Sequence, residues 1–327
     1  MNPPVKTDST DAIILKTLLL DSRTSLTEIA KRCKITPAAV RMRILRLKKA
    51  GVIKGEITIV NPHSLGHKYV VNLGITTAVE NEAEVAEFLK SKSYRLLAFG
   101  FLPKYNLFPI LVMNNMQELA AIIEDLEANP KIKRVETMIW AEAANLEHME
   151  NLCFDPCQDT AEKQSSIPSS VVSVEEVKID ETDRKIARIL SHKARMPFNR
   201  IADQLGISTK NVIQRFNRLK GPVLTQSTIL VDLTKIGYVA FAFIFIKVAN
   251  RGKMPEIYSQ LLQIPNMVVA LRLLGHYDLN VDLFLRSFEE LFEAGEKIRH
   301  ISGIEVIDVY LTPVWPEWPP NLFSSLL

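Results

Sequence analysis

The sequence contains one residue pattern twice, with corresponding positions 172 residues apart. Asp8-Ser-Thr-Asp11 returns as Asp180-Glu-Thr-Asp183, and the similarity continues for about 130 residues. Ile29-Ala30 likewise returns as Ile201-Ala202, and Val40 returns as Val212. A duplication of this length indicates two copies of a whole folding unit and not a solenoid of small repeats. The chain is therefore expected to hold two matched units on one backbone.

Length and composition narrow the class of protein. With 327 residues, of which 47% are hydrophobic, the chain can bury several cores. The longest apolar run, Val239 to Ile246, is much shorter than the roughly 20 residues of a membrane span, and Met1 to Lys6 lacks the apolar core of a signal peptide. Three cysteines, Cys33, Cys153 and Cys157, do not make a disulfide framework. These features predict a cytoplasmic protein without membrane association.

The net charge of +3 hides a strong local segregation of charge. Between Lys31 and Lys54 there are nine Lys and Arg residues and no Asp or Glu, whereas the stretch from Glu80 to Asp159 is rich in acids. Positive charge confined to one subdomain is typical of nucleic-acid binding. The alternative is a solvated basic helix without a partner.

Three short helices are predicted at the start of each copy. In the first copy Asp8 caps the first helix, and Ser25-Leu-Thr-Glu28 forms a capping box for the second. Thr36 caps the third helix, and Pro37 takes its first position, where the missing N–H has no cost. The buried stripe of this third helix is expected at Val40, Ile44 and Leu47.

A strand-like segment follows the third helix in each copy. In the first copy Gly51 ends the helix, and the pair Val52-Ile53 with Glu56 to Val60 predicts a short hairpin that completes a winged helix-turn-helix domain. The second copy departs from this pattern after Leu219, where Lys220-Gly-Pro-Val gives a shorter turn. The wing of the second copy is therefore expected to differ in shape.

Beyond each winged unit the hydrophobic pattern changes from a helical to an alternating period. The segments that follow are predicted in the order β-α-β-β-α-β, which is that of a ferredoxin-like sandwich. The first strand of the second copy is apolar on nearly every residue, so both of its faces should be covered, most simply by another sheet. The fold class is thus α+β, with two repeats of the same two domains. The segments are expected at 69–75, 82–90, 96–101, 107–112, 116–127 and 134–140, and again at 239–248, 254–263, 268–274, 279–285, 288–300 and 305–312.

Domain boundaries follow from these patterns. Phe154 to Glu176 is rich in Ser and Pro and has little hydrophobic periodicity, which indicates a flexible linker. The predicted divisions are 1–60 for the first winged helix-turn-helix, 61–152 for the first ferredoxin-like domain, 153–177 for the linker, 178–234 for the second winged helix-turn-helix and 235–327 for the second ferredoxin-like domain.

This order of parts resembles the Lrp/AsnC family of feast/famine transcription regulators. The matching residues are Asp8-Ser-Thr-Asp11, the run Thr36 to Leu47, Gly51-Val-Ile53 and Gly275-His-Tyr-Asp-Leu279. The resemblance implies a DNA-binding regulator whose ferredoxin-like effector domain responds to a small molecule such as an amino acid. Family members usually carry one module per chain and pair two chains through their sheets. Two tethered modules therefore imply pairing within one chain, and further assembly into a homo-oligomer.

The resemblance implies that the third helix of each copy enters the major groove of double-stranded DNA. Because the two helices differ chemically, two unlike half-sites are expected. The base-facing candidates are Ala38, Ala39 and Met42 in the first copy and Thr209, Lys210, Asn211 and Gln214 in the second. The predicted phosphate or guanine contacts are Arg41, Arg43, Arg46, Arg215 and Arg218, and Thr36, Lys48 and Ser208 complete the set.

For the effector, the resemblance points to the turn formed by Gly275, His276, Tyr277 and Asp278, with Asp278 available for an amino group. The alternative is an ordinary turn between two strands, since Gly and Asp serve turns for local reasons. The first copy has Pro103 to Asn106 at these positions, and proline cannot adopt the positive φ that a glycine allows. One effector site per chain is therefore expected.

The sequence gives little support for a metal site, a cofactor or an enzymatic activity. His148, Cys153 and Cys157 supply at most three ligands, so no metal site is predicted. A phosphate-binding glycine loop, a nucleophile elbow and a zinc-binding helix are missing, so neither a cofactor nor enzymatic activity is predicted.

Two other functions stay open, an enzyme and a non-DNA-binding interaction protein. Sirohaem decarboxylases share the two-part architecture, and Tyr105 to Phe108 resembles their aromatic-rich second strand, although Tyr94 to Gly100 lacks their His-x-Tyr-x-Arg-like cluster.

The C-terminal segment Trp315 to Pro320 either anchors against a neighbouring subunit or folds onto its own sheet.

Overall fold

The computed structural model describes residues 4–92, 94–102, 104–141, 148–154 and 178–327. It confirms the α+β class and the duplicated order of helix-turn-helix and ferredoxin-like parts. The first copy contains α1 (Ser9–Leu20), α2 (Leu26–Cys33), α3 (Pro37–Lys49), β1 (Ile53–Val60), β2 (Tyr69–Thr77), α4 (Glu82–Ser91), β3 (Leu96–Leu102), β4 (Tyr105–Met113), α5 (Met116–Glu127) and β5 (Ile132–Trp140). The second contains α6 (Glu181–His192), α7 (Phe198–Leu205), α8 (Thr209–Leu219), β6 (Leu224–Val231), β7 (Ala240–Val248), α9 (Met254–Leu261), β8 (Met267–Gly275), β9 (Leu279–Leu285), α10 (Phe288–Arg299) and β10 (Ile304–Pro313).

The first helix of each copy begins with a reciprocal capping box. Asp8 Oδ1 accepts a hydrogen bond from the Asp11 N–H at 2.9 Å, and Asp11 Oδ2 accepts from the Asp8 N–H at 3.1 Å. Asp180 and Asp183 repeat both bonds at 2.8 and 3.0 Å. These caps satisfy backbone donors that a helix start leaves without partners, which explains why the sequence motif appears at both helix starts.

The predicted hairpin within each copy is wrong. Residues 53–60 form one continuous strand, and its antiparallel partner is β6 of the second copy, in a two-stranded sheet with Ile57 opposite Thr228. Each copy supplies one strand because the Val52-Ile53 pair leads directly into β1 and leaves no length for a second strand of its own. The two helix-turn-helix units are therefore joined backbone to backbone.

The ferredoxin-like domains share an eight-stranded sheet in the order β10-β7-β9-β8-β5-β2-β4-β3. The copies meet where β5 pairs with β8, through Met138 opposite Gly275. The sheet folds over so that its halves face each other, with the ring of Phe108 5.9 Å from that of Phe245. Phe245 lies on β7, whose other face carries Ile244 and Ile246 into the core under α9 and α10. The expectation that both faces of this strand are covered is confirmed.

Each helix-turn-helix unit packs on the sandwich domain of the other copy. Ile14 and Leu18 of α1 share a core with Phe241 and Phe284 of the second copy. In the reverse direction, the core of the second unit includes Val70 and Val112, together with Leu190 and Leu219. The two copies are thus interwoven, and separating them would expose both cores.

The C-terminal segment folds onto its own chain. Trp318 is 1% exposed, and its backbone N–H and carbonyl both bond to Val231, at 3.0 and 2.8 Å. The ring of Phe323 packs edge-on against Trp140 at 6.2 Å. This segment closes the junction between the second helix-turn-helix unit and the first sandwich domain.

The predicted linker lies almost wholly outside the described residues, apart from Cys153 and Phe154. Both of these residues are buried, and Phe154 packs in the core that contains α1. Across the described ranges, no helix combines the length and the apolar character that a membrane crossing requires.

Candidate nucleic-acid interface

The helix-turn-helix geometry is set by the turn between the second and third helices of each copy. Lys34 ends α2 in the left-handed conformation with φ 54°, and Gly206 does so after α7 with φ 65°. The side-chain oxygens of Thr36 and Ser208 then accept hydrogen bonds from Ala39 N and Asn211 N, both at 3.2 Å. The predicted role of Thr36 as a cap is confirmed, and Ser208 caps α8 in the same way. Both oxygens are thus engaged within the chain.

Buried side chains fix which face of each third helix points outward. Val40 and Leu47 of α3 are fully buried, as are Val212 and Leu219 of α8. The opposite faces are open to solvent. The exposed side chains of these outward faces include Ala38, Arg41, Met42 and Leu45 on α3, with Ala39 half-buried, and Thr209, Lys210, Ile213, Gln214 and Asn217 on α8. Arg46, Lys48 and Lys49 of α3 and Asn211 and Arg218 of α8 are exposed as well.

The arginines on the inner flank of α3 bind carboxylates of their own copy. Arg43 Nη1 lies 2.8 Å from Asp8 Oδ2 and 3.0 Å from Asp11 Oδ1, and Arg46 also bonds to Asp11. Asp11 is 1% exposed, and a buried carboxylate needs cationic partners. Hydrogen bonds to the two aspartates hold the pKa of Arg43 above its usual value. Arg43 and Arg46 were predicted as DNA contacts, but their guanidinium groups hold α3 against α1.

The second copy repeats this arrangement. Arg215 Nη1 lies 2.7 Å from Asp180 and 2.8 Å from Asp183, whose side chain is fully buried, and Arg218 also bonds to Asp183. The Asn211 side chain accepts from Arg215 Nε at 2.7 Å. Arg215, Arg218 and Asn211, also predicted as DNA contacts, are therefore engaged within the chain.

Lys48, also predicted to contact DNA, forms an ion pair within the chain. Its Nζ lies 2.6 Å from the carboxylate of Glu56 on β1. By contrast, Arg41 makes no hydrogen bond or ion pair with the described part of the chain. Sequence reasoning missed Leu45, Ile213 and Asn217, which the helical period places on the same outward faces.

The predicted effector turn is closely packed between the two copies. Gly275 has φ 137°, and a Cβ there would lie 2.1 Å from the Thr137 carbonyl oxygen of β5. Close approach of the two strands therefore explains this glycine. Pro103, the corresponding residue of the first copy, lies outside the described residues.

The three residues after Gly275 bind other parts of the chain. Lys104 Nζ lies 3.2 Å from His276 Nε2 and 2.9 Å from the Tyr277 hydroxyl, which also donates to Asp308. Asp278 accepts from Val248 N at 3.0 Å and from Arg251 Nε at 2.8 Å. Asp278, predicted to be available for an amino group, already holds a guanidinium.

Burial changes the proton affinities in this cluster. It lowers the pKa of His276, and with the hydrogen bond to Asp308 it raises the pKa of Tyr277. At neutral pH both groups are uncharged, and both are hydrogen-bonding partners of Lys104. The cluster is a polar part of the interface between the copies.

His148, considered for a metal site with Cys153 and Cys157, is bonded to other side chains. His148 Nε2 lies 3.1 Å from the Tyr258 hydroxyl, and its Nδ1 lies 3.4 Å from Glu150. Cys153 is buried, and Cys157 lies outside the described residues. Over the ranges that the structure covers, no group of three or more His, Cys, Asp or Glu side chains is placed to hold a metal ion.

Both helix-turn-helix units match known families of DNA-binding domains. Residues 179–220 match the AsnC-type helix-turn-helix domain, and residues 7–54 match a winged helix-turn-helix DNA-binding family. The two matches fall on corresponding parts of the two copies.

Known regulators are similar to one copy at a time. The HTH-type transcriptional regulator FL11 of Pyrococcus horikoshii is 32% identical over 130 residues, which cover 39% of this chain and 85% of that protein. LrpA, an HTH-type transcriptional regulator of the same organism, is 35% identical over 118 residues, which cover 36% of this chain and 84% of LrpA.

A solved structure shares the arrangement of the whole chain. The siroheme decarboxylase NirDL superposes with a TM-score of 0.61 over 97% of this chain and 96% of its own, at 14% sequence identity. At that identity the likeness shows a shared two-module fold. The family is identified by the sequence relatives and by the two helix-turn-helix matches, one of which is of the AsnC type. The chain belongs to the Lrp/AsnC family of transcriptional regulators.

Proposed function

We propose that the protein regulates transcription by binding a specific double-stranded DNA sequence through α3 and α8. The observation that carries this proposal is the pair of open faces on these helices, which present Arg41 and Met42 in one copy and Lys210 and Gln214 in the other. Because β1 pairs with β6, the two helices are held by one continuous framework. Such a framework suits a DNA site with two half-sites.

The open faces divide into residues for phosphates and residues for bases. Arg41 and Lys210 carry long cationic side chains suited to phosphate oxygens, and Arg41 is also suited to guanine. Gln214 has an amide that pairs bidentately with adenine, whereas Ala38 and Met42 offer apolar surface for a thymine methyl group. Ala39 and Thr209 lie in the first turn of each helix, where base edges come close.

The arginines bound to Asp11 and Asp183 act indirectly in this proposal. They fix α3 on α1 and α8 on α6, and thereby set the angle at which each third helix meets the groove. Phosphate contacts should come from the exposed basic residues instead. Variants of the two groups of basic residues should therefore differ. Substitution of an arginine paired with Asp11 or Asp183 should lower stability, whereas substitution of Arg41 or Lys210 should weaken DNA binding.

The test is DNA binding measured at several salt concentrations, on fragments enriched from random DNA and on the region directly upstream of the protein's own gene. Arg41→Gln and Lys210→Gln should each weaken binding and reduce the slope of log K against log salt by about 1. Lys297→Gln, an exposed residue of α10, is the matched control and should leave binding unchanged. Identical isotherms for Arg41→Gln and the control would count against the proposal.

A small-molecule effector such as an amino acid is the second part of the proposal. Residues 275–278 support it because the charged groups of Lys104, Glu136 and Arg251 surround this turn and suit a zwitterion. A ligand there would have to displace Lys104 or Arg251 from its present partner. Amino acids that raise the thermal midpoint of the wild type but not of Asp278→Asn would support this site, and equal shifts in both would contradict it.

The full-length likeness to NirDL keeps an enzymatic function as a second candidate. Incubation with sirohaem, followed by measurement of released carbon dioxide, distinguishes the two functions. Release of carbon dioxide by the wild type, together with absence of DNA binding, would replace the regulator proposal by the enzymatic one.

A further inference from the structure

A pocket of about 130 Å³ lies between α3 and β1 of the first copy and reaches the turn before α7. Its volume is close to that of the apolar cavities of about 150 Å³ that bind benzene in other proteins. It therefore has room for a branched aliphatic group of five or six carbons. The apolar wall consists of Leu18, Leu26, Ile44, Leu45, Ile53 and Ile229.

The second copy shows why this space is open. Phe198 and Phe216 occupy the positions of Leu26 and Ile44, 172 residues later, and their rings lie 5.0 Å apart. The guanidinium of Arg23 covers both rings, at 4.5 and 5.1 Å from their centroids. Two aromatic rings and a cation thus occupy the corresponding region of the second copy. Smaller aliphatic side chains leave it open in the first.

Positive charge lines the pocket in the first copy. Arg195 is the counterpart of Arg23, and it lies at the pocket wall with one Nη bonded to the carbonyl of Ser22. Arg41 and Lys48 line the same pocket, together with one acid, Glu56, which is paired to Lys48 at 2.6 Å.

Two cations remain after this pairing, and one of them, Arg41, makes no ion pair in the described part of the chain. An anionic head group is therefore complementary to the mouth of the pocket. A carboxylate suits a guanidinium through two parallel hydrogen bonds.

We propose that this pocket binds a small branched aliphatic carboxylate, with its tail among the leucines and isoleucines and its head group at Arg41 and Arg195. Binding in itself does not depend on the function proposed above. Its regulatory consequence does rest on that function, because Arg41 also lies on the face of α3 proposed to meet DNA. A ligand that occupies Arg41 should lower the affinity for DNA.

Isothermal titration calorimetry of the full chain with 4-methylpentanoate tests the binding. One saturable site per chain is expected, with at least tenfold weaker binding of the uncharged 4-methylpentanamide. Ile44→Phe places the residue of the second copy in the pocket and should weaken binding at least tenfold. Leu26→Phe fills the pocket from the opposite wall and should also weaken binding at least tenfold. Arg41→Gln should weaken binding of the carboxylate without altering the fold, because the Arg41 side chain is exposed. Lys297→Gln, an exposed residue of α10 outside both sites, is the control and should bind the probe as the wild type does.

Absence of saturable binding would overturn the proposal, as would an unchanged affinity in both phenylalanine variants with wild-type thermal midpoints. Equal binding of the amide would overturn the assignment of a carboxylate. Gel shifts with and without 4-methylpentanoate test the regulatory consequence separately. If the probe binds but the wild type retains no affinity for any DNA, the proposed function fails while the site stands.

Discussion

Arg43 Nη1 lies 3.0 Å from Oδ1 of Asp11, and this ion pair links the recognition helix α3 to the first helix of its domain. Asp11 is 1% exposed and also accepts from Arg46 and from the Asp8 N–H. A buried carboxylate needs several hydrogen-bond donors to replace the water that it has lost, and these residues supply them. The repeated spacing of two aspartates and two arginines therefore encodes the orientation of the recognition helix in each copy.

Asp183→Ala should lower the free energy of unfolding by about 3 kcal/mol. The substitution removes a capping side chain and leaves Arg215 and Arg218 without their buried partner. Urea unfolding followed by circular dichroism measures the change. Asp203→Ala, an exposed aspartate of α7, is the control and should cost less than about 0.5 kcal/mol. A similar unfolding midpoint for the two variants would contradict the role assigned to Asp183.

Acid should weaken the second helix-turn-helix unit through Asp180. Hydrogen bonds from Arg215 hold the pKa of Asp180 below its usual value. Because the folded pKa lies below the unfolded one, this stabilisation is present above about pH 4 and is lost as the pH falls further. The thermal midpoint of Arg215→Gln should therefore lie below that of the wild type at pH 6, and the gap should narrow toward pH 3. Arg200→Gln, with an exposed side chain on α7, should show a constant small gap; a constant gap for Arg215→Gln as well would argue against the mechanism.

Local features of this fold could be predicted from the sequence, because a cap and its target lie three or four residues apart. Asp8, Ser25 and Thr36 were assigned correctly as caps for that reason. The full capping box predicted at Ser25 is not formed, because the Glu28 carboxylate binds Arg32 instead. The partner of β1 could not be predicted, because the apolar alternation of a strand does not specify which distant strand it pairs with. The roles of Arg43 and Arg215 were missed for a related reason, since their aspartate partners are 35 and 32 residues away.

Gly275→Ala should loosen the junction between the two sandwich domains. A φ of 137° is strained for any residue with a Cβ, and that atom would lie 2.1 Å from the Thr137 carbonyl oxygen. The expected loss is about 3 kcal/mol or more, with faster amide exchange at 138–140 on β5. Gly295→Ala is the matched control: it has open space around it within α10, so it should be neutral or stabilising. Unchanged amide exchange in Gly275→Ala would show that the added Cβ is accommodated without loosening the junction, which would contradict the role assigned to Gly275.

Asp282 on β9 should make the protein less stable as the pH rises. Burial raises the pKa of its carboxyl to about 7, with one hydrogen bond from Asn280 opposing the shift. A raised folded pKa gives stability that is complete below the unfolded pKa of about 4 and is lost as the pH rises through 7. Asp282→Asn keeps the shape without the charge, so its thermal midpoint should exceed that of the wild type at pH 8 by more than at pH 5. A difference that is equal at both pH values would show that Asp282 is not protonated in the folded protein.

The two recognition helices should read unlike half-sites, because their open faces differ at every matched position. Arg41 corresponds to Ile213, and Met42 corresponds to Gln214. A homodimer presents identical faces and favours a palindrome, whereas this chain joins two different faces through β1 and β6. Selection from random DNA should therefore return an asymmetric site.

The double variant Lys210→Ala with Gln214→Met gives the second face the residues of the first at two matched positions, and it leaves the Asn211–Arg215 bond in place. Its selected site should be more symmetric than that of the wild type. Lys210→Ala alone should weaken binding to all sequences without making the site more symmetric, since a lysine at a phosphate carries no sequence information. A strict palindrome selected by the wild-type protein would refute the idea that the copies have diverged in specificity.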